Sequence, residues 1–395
     1  MIYINAVGMI NALGDDTDTI RRNLPQHTAP GMKSREGWLQ SGHACVLGGT
    51  DAELPEIPAH LQAHDSRNNR LLLSALRQIQ PEAERMAAQY GADRVAVILG
   101  TSTSGLDEAD HFIDARHHDR DAENYHYFQQ ELGDPARFLS AYLGLTGPAY
   151  TISTACSSSA RAILSGQRLI DAGLADAVIA GGADTLSRMP INGFNSLEAL
   201  SPVLCQPFAQ DRTGITIGEG AALLLLSREL ADVAFLGGGE SGDGYHMSAP
   251  EPEGRGAELA IRMALKNAGL TPEDIGYINL HGTGTPLNDA MESTVISRLF
   301  GTDVPCSSTK PLTGHMLGAA GAGEAALSWL ILKENLPLPV QTFTDKPQDT
   351  TLAPFGLLTR PATLRKPVIL SNSFAFGGNN CVLIVGRSDT RGVNS

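Results

Sequence analysis

Aromatic residues make up only 5% of this 395-residue chain, and cysteine, excess positive charge and long apolar runs are scarce as well. Each scarcity removes a class of function. Few aromatics argue against an aromatic-rich binding surface, whereas 42 glycines and a 42% apolar content suit helices and sheets packed closely around tight turns, an α/β composition. The five cysteines, Cys45, Cys156, Cys205, Cys306 and Cys381, are odd in number and lack CxxC spacing. That pattern points away from a disulfide framework or a zinc site and fits a reducing compartment. Lysine and arginine total 29 against 43 acidic residues, a net charge of −14. Nonspecific binding to nucleic acid or anionic lipid is disfavoured, because cationic side chains on phosphate supply most of that affinity. The longest apolar run, Ala221 to Leu226, is far shorter than the roughly 20 residues a membrane helix needs, so no membrane insertion is expected. Met1 to Gly8 reads as a strand and not as a signal peptide, which makes the cytoplasm the expected location.

What is present is a loose internal repeat. Val95 to Leu99 reads as a buried strand running into Gly100-Thr101-Ser102-Thr103, and Tyr277 to Leu280 runs likewise into His281-Gly282-Thr283-Gly284-Thr285. A small-residue turn then opens a helix in each copy: Thr154-Ala155-Cys156-Ser157-Ser158-Ser159 in the first, Ser308 to His315 in the second. The first helix is expected to be buried nearly all round and the second is rich in alanine. Each copy closes with a Gly-rich turn feeding an apolar strand, Gly218-Glu219-Gly220 and Gly377-Gly378-Asn379-Asn380. The predicted organisation is two duplicated halves, 1–230 and 231–395, joined near Arg228 to Asp232, with a surface cap inserted near 107–135. The cap's His111, His117, His118 and His126 lack firm ligand spacing, and no metal is assigned.

Cys156 follows a strand-like segment and precedes a helix, where free amides and the helix dipole favour a thiolate. A lone cysteine is more often an inert core residue; two histidines at element ends, His281 and His315, change the weighing. Packing of the two copies about a pseudo-twofold axis would bring all three together. Arg67 and Arg70, at helical i, i+3 spacing, offer a local basic patch for an acidic partner, with an ordinary solvated face as the alternative.

The chain resembles the elongating β-ketoacyl-acyl carrier protein synthases over essentially its full length. The matching segments are Thr154 to Ser158, His281 to Asp289, Ser308 to His315 and Ser371-Asn372-Ser373-Phe374-Ala375-Phe376-Gly377-Gly378. The resemblance implies a five-layered αβαβα thiolase fold and a dimer, either of identical chains or with a ketosynthase-like chain-length factor. It implies no cofactor, and as partner an acyl carrier protein bearing acyl and malonyl groups on phosphopantetheine. Cys156 would hold the acyl group; His281 and His315 would promote malonyl decarboxylation; Lys310, Glu324 and Asp289 would tune or support the histidines. The backbone amides of Cys156 and Phe376 would form an oxyanion hole, Phe374 and Phe376 a gate, and Phe194 a wall of the acyl tunnel.

Where this family reads aspartate after Pro-Phe, and later Asp-Gly-Phe, the chain has Pro207-Phe208-Ala209 and Arg212-Thr213-Gly214-Ile215. A remodelled cap region is therefore expected, and because Cys156-Ser157-Ser158 also occurs in polyketide-type ketosynthases, a polyketide or polyene substrate is admitted beside an ordinary fatty acyl chain. A degradative thiolase would need a second cysteine near the last Gly-rich turn, and Cys381 instead begins an apolar strand. A catalytically silent chain-length partner is the alternative from a different class, and such partners typically lack the nucleophile.

Overall fold

The computed structural model describes residues 1–121, 125–344 and 346–389. Residues 122–124 of the 107–135 segment, and 345 and 390–395 of the second half, lie outside that description. The first half comprises β1 (Ile2–Ile10), α1 (Thr17–Asn23), β2 (Met32–Arg35), β3 (Cys45–Gly48), α2 (Arg67–Arg77), α3 (Gln80–Tyr90) and β4 (Val95–Gly100). It continues through α4 (Leu106–His117), α5 (Asp134–Tyr142), β5 (Ala149–Ile152), α6 (Ser158–Asp171), β6 (Ala177–Asp184), α7 (Arg188–Ser196) and β7 (Gly220–Ser227). The second half runs β8 (Val233–Gly242), α8 (Arg255–Ala268), β9 (Tyr277–Asn279), α9 (Pro286–Phe300), β10 (Cys306–Ser307), α10 (Lys310–Thr313), α11 (Ala320–Glu334), β11 (Val368–Phe374) and β12 (Asn379–Arg387).

Strand order exposes the duplication. One ten-stranded sheet has the order β10-β9-β11-β12-β8-β1-β7-β6-β4-β5, so each half contributes five strands outward from a central join. From that join the first half pairs β1–β7 antiparallel, β7–β6 antiparallel, then β6–β4 and β4–β5 parallel. The second repeats the sequence: β8–β12 and β12–β11 antiparallel, β11–β9 and β9–β10 parallel. The copies meet where Ile2 lies opposite Phe235 and Tyr3 opposite Ala234.

Alternation along the strands builds the layers, because successive side chains point to opposite faces. Val95, Val97 and Leu99 of β4 face outward and pack with Leu72 and Leu76 of α2, Met86 of α3 and Phe138 of α5. Ala96 and Ile98 face inward, into a core shared with Ala160, Ile163 and Leu164 of α6, Ala322, Ala325 and Leu330 of α11, and Ile369 and Leu383 of the other half. On the far side Ile278, Leu370 and Ile384 are covered by Ala260 and Ile261 of α8 and Val295 and Ile296 of α9. The result is the five-layered αβαβα arrangement, with α6 and α11 between the half-sheets. Helix α11 is buried at every residue from Ala320 to Leu332. Helix α6 is less enclosed than its sequence suggests: Arg161, Ser165 and Arg168 form an outward stripe at helical spacing. No helix among the described residues is long and apolar enough to cross a membrane.

The close layer spacing depends on Gly100, at the end of β4. A Cβ there would stand 2.3 Å from the backbone nitrogen of Ser159 and 2.5 Å from the carbonyl carbon of Ser158. Helix α6, with Cys156 just ahead of it, rests on that hydrogen-only surface.

Candidate active site

Cys156 and His315 occupy equivalent places in the two copies. Each lies in the turn between an outer parallel strand, β5 or β10, and a central helix, α6 or α11, so the duplication points them at one another. The turn before α6 is tightly bent. Ala155 adopts a left-handed φ of 53°, costly for a residue with a Cβ, and Ser158 Oγ holds it by accepting from the Thr154 amide at 2.8 Å and donating to the Ala155 carbonyl at 2.6 Å. On the other side, the His315 amide donates to the Thr216 carbonyl at 2.7 Å and its carbonyl accepts from Gly218 at 3.0 Å. The outcome is a distance of 2.9 Å between His315 Nε2 and Cys156 Sγ. His281 ends β9, and its ring lies 5.4 Å from that of His315, nearly perpendicular at 85°. All three side chains are buried and their reactive atoms lie within 4.8 Å of one another. Among the described residues no other His, Cys or carboxylate donors gather in this way; His111, His117 and His118 are exposed on the cap.

Burial governs the charges here. It lifts the Cys156 thiol to about 11, against the counter-pull of Lys310 and of the Phe376 and Cys156 amides that bond the sulfur. The resting nucleophile is therefore a thiol, contrary to the thiolate expected from the helix terminus alone. Burial and the Lys310 ammonium hold both imidazoles well below the ordinary histidine range, so they are neutral. Lys310 Nζ sits 3.5 Å from His281 Nδ1 and 2.6 Å from Glu324 Oε1. An ammonium only donates, so Nδ1 of His281 must accept, which places that ring's proton on Nε2. Nδ1 of His315 is buried without a partner, which leaves its Nε2 able to accept or donate.

Two buried carboxylates that the sequence did not single out fix the frame. Glu292 accepts from the amides of His281 at 2.8 Å and Gly282 at 2.7 Å, and from Asn372 Nδ2 at 3.0 Å. Asp184, at the end of β6, accepts from the amides of Ser102, Thr103 and Ala319 and from the hydroxyls of Thr101 and Thr103. It thereby ties the first half to the turn that follows His315. Asp184 closes an otherwise apolar and small-residue strand, a hint the sequence carries, whereas Glu292 sits in a mixed helix that gives none. Asp289 acts on the loop after His281, accepting from Gly284 and Phe208 amides and pairing with Arg212 at 3.3 Å.

A cavity of about 320 Å³ opens onto the three side chains, lined also by Phe194, Ile215, Phe374 and Phe376. The two candidate gate residues differ. Phe374 is embedded in the second-half core at the end of β11, whereas Phe376 stands on the following turn, where Gly377 takes a φ of +80°, and meets Phe194 with ring centroids 5.3 Å apart. The departing segment 207–215 borders this cavity through Ile215 and packs under the His281 loop. Arg67 makes a bidentate pair with the buried Glu219, Arg70 another with Asp65, and Glu53, Glu56 and Glu108 share their groove.

Comparison with known proteins accords with this geometry. The "Beta-ketoacyl synthase, N-terminal domain" profile matches residues 9–231, and the "Beta-ketoacyl synthase, C-terminal domain" profile matches 234–344. The chain belongs to the β-ketoacyl synthase family. A 3-oxoacyl-[acyl-carrier-protein] synthase 2 of Staphylococcus aureus (strain COL) is 32% identical, with 97% of each chain covered. A chain from the structure of a ketosynthase (ApeO) in complex with its chain length factor (ApeC), from Xenorhabdus doucetiae, is 62% identical with a TM-score of 0.97 and 98% of each chain covered. A chain of the ishigamide ketosynthase/chain length factor is 25% identical with a TM-score of 0.88, again over 98% of each. With its cysteine and both histidines in one cavity, this β-ketoacyl synthase is an active, carbon–carbon bond-forming condensing enzyme and not a silent partner.

Proposed function

We propose that this synthase extends an acyl group held on Cys156 by decarboxylative condensation with malonyl carried on an acyl carrier protein. In the first step His315 Nε2 takes the thiol proton as sulfur attacks the incoming acyl thioester, and the departing carrier thiolate receives that proton. The amides of Cys156 and Phe376 stabilise the oxyanion. In the second step the bond between the malonyl methylene and its carboxylate breaks and carbon dioxide leaves. Between the steps the His315 proton moves from its unpartnered Nδ1 to Nε2 by exchange with solvent, and His281 and His315 then donate from Nε2 to the thioester oxygen as it gains enolate character. The carbanion attacks the acyl carbonyl, and expelled Cys156 regains a proton from solvent. Lys310 keeps His281 in the donating tautomer; Phe376 gates the cavity and Phe194 walls it.

The observation that carries this reading is the 2.9 Å approach of His315 to Cys156 with His281 beside them. We infer further that the acyl chain is of polyketide or polyene type. Ile215 stands on the cavity wall where the family commonly has phenylalanine, and the similar ApeO and ishigamide structures are ketosynthases determined with chain length factors. Pairing with such a factor is supported by the place of β5 at the edge of the sheet, where a partner strand can add to its outer row of backbone groups. Five free, buried cysteines fit work in the reducing cytoplasm. The test is carbon dioxide release from malonyl-carrier by the purified protein with its partner. Release that falls on His281→Ala supports the reading; none from the wild type contradicts it.

A further inference from the structure

Helix α7 is a lightly anchored wall of the cavity. Ile191 is its one buried residue, and Met189 at one end and Leu197 just beyond the other are 62% and 59% exposed. Its place is therefore not set by the main core. It rests on a small satellite cluster of Leu186, Ile191, Leu200 and Ile215, with Trp38, Leu39 and Phe194 partly buried against it. Trp38 and Leu39 come from the exposed tip, 36–44, of the hairpin formed by β2 and β3. Besides that packing, the side chain of Asn192 hydrogen-bonds the tip to the helix. Asn192 Nδ2 donates to the Trp38 carbonyl at 2.9 Å, and Asn192 Oδ1 accepts from the Gln40 amide at 2.9 Å.

The base of the hairpin is held where its tip is not. The Gly48 amide donates to the Ile217 carbonyl at 2.9 Å, and a Cβ on Gly48 would come within 2.9 Å of the Thr313 carbonyl oxygen, two residues from His315. The hairpin thus stands on the frame of the active site, and its tip reaches the helix that carries Phe194. Phe194 in turn touches Phe376, the gate residue.

Resting on the ketosynthase reading above, we propose that Asn192 is a positioning residue for substrate length: by tying α7 to the hairpin tip it fixes how far Phe194 withdraws, and so which acyl chains the cavity accepts. A short acyl group fits with the tie closed. A long one needs α7 displaced, and the two hydrogen bonds oppose that displacement.

The test measures acylation of Cys156 by acetyl- and dodecanoyl-pantetheine thioesters in the enzyme with its partner. Asn192→Ala should raise the dodecanoyl-to-acetyl ratio of kcat/KM about 5- to 10-fold, the worth of one or two hydrogen bonds of this kind, with malonyl decarboxylation unchanged. A folded Asn192→Ala enzyme with the wild-type ratio overturns the proposal. Hydrogen–deuterium exchange on wild-type protein gives a second arm should the variant misfold. Residues 36–44 and 188–199 should lose protection together when Cys156 carries dodecanoyl and not when it carries acetyl. Loss confined to 188–199, or to neither segment, overturns the idea. Wild-type enzyme that takes neither thioester and releases no carbon dioxide from malonyl-carrier removes the underlying reading, and the proposal with it.

Discussion

At the scale of single residues the chemistry turns on charge states set by burial. Cys156 rests as a thiol near 11 because desolvation outweighs the amides and the ammonium that favour its anion. Its alkylation by iodoacetamide should accordingly climb with pH up to about 11, and show no plateau at neutrality; rates that level off near pH 7 would indicate a stabilised thiolate. The histidines behave in the opposite sense. Their values are held well below the ordinary range, so both stay neutral through neutral pH and decarboxylation should be flat there, falling only in acid. Removing one imidazole by His281→Ala or His315→Ala should lower the decarboxylation rate about 10²- to 10³-fold, the usual cost of losing a preorganised donor. Steady-state rates of carbon dioxide release check this. A loss of less than tenfold would mean that the imidazole does not face the enolate oxygen.

At the scale of elements, the site depends on how closely a helix can approach a sheet. Gly100→Ala would drive a methyl group into the first turn of α6, which should destabilise the protein by about 1–3 kcal/mol and displace the Cys156 turn. Denaturant melts together with Cys156 acylation rates measure both effects. Elements are also where sequence reading succeeded and stopped. Strand-then-turn units at Val95 and Tyr277 were legible because apolar runs and glycines are local signals, and so were Cys156, His281 and His315 at element ends. Asp184 and Glu292 were not, because their partners are backbone amides 10 to 135 residues away along the chain, which leaves no spacing to read. The same blindness hid the pair that Arg67 makes with Glu219, 152 residues away. The thiolate expectation failed because a helix terminus is visible in sequence and desolvation is not.

For the whole molecule, duplication is the organising fact. Two runs of five strands with identical directions meet at a short β1–β8 junction and place two equivalent turns, one bearing sulfur and the other imidazole, across a shared core. Strand β5 is the outer edge of the sheet, and a chain-length-factor-like partner should pair with it. Native mass spectrometry after co-expression with such a factor should show a one-to-one heterodimer; a persistent homodimer in its presence would contradict that pairing. The central claim is that Cys156 carries the growing chain while the two histidines generate the carbanion. Its most direct test is mass spectrometry of the enzyme and carrier after successive addition of acyl-carrier and malonyl-carrier. The account predicts an acyl adduct on the Cys156 peptide, transferred to the carrier as a chain two carbons longer, and neither in Cys156→Ala, which still releases carbon dioxide. An adduct on any other residue, or elongation by Cys156→Ala, would contradict it.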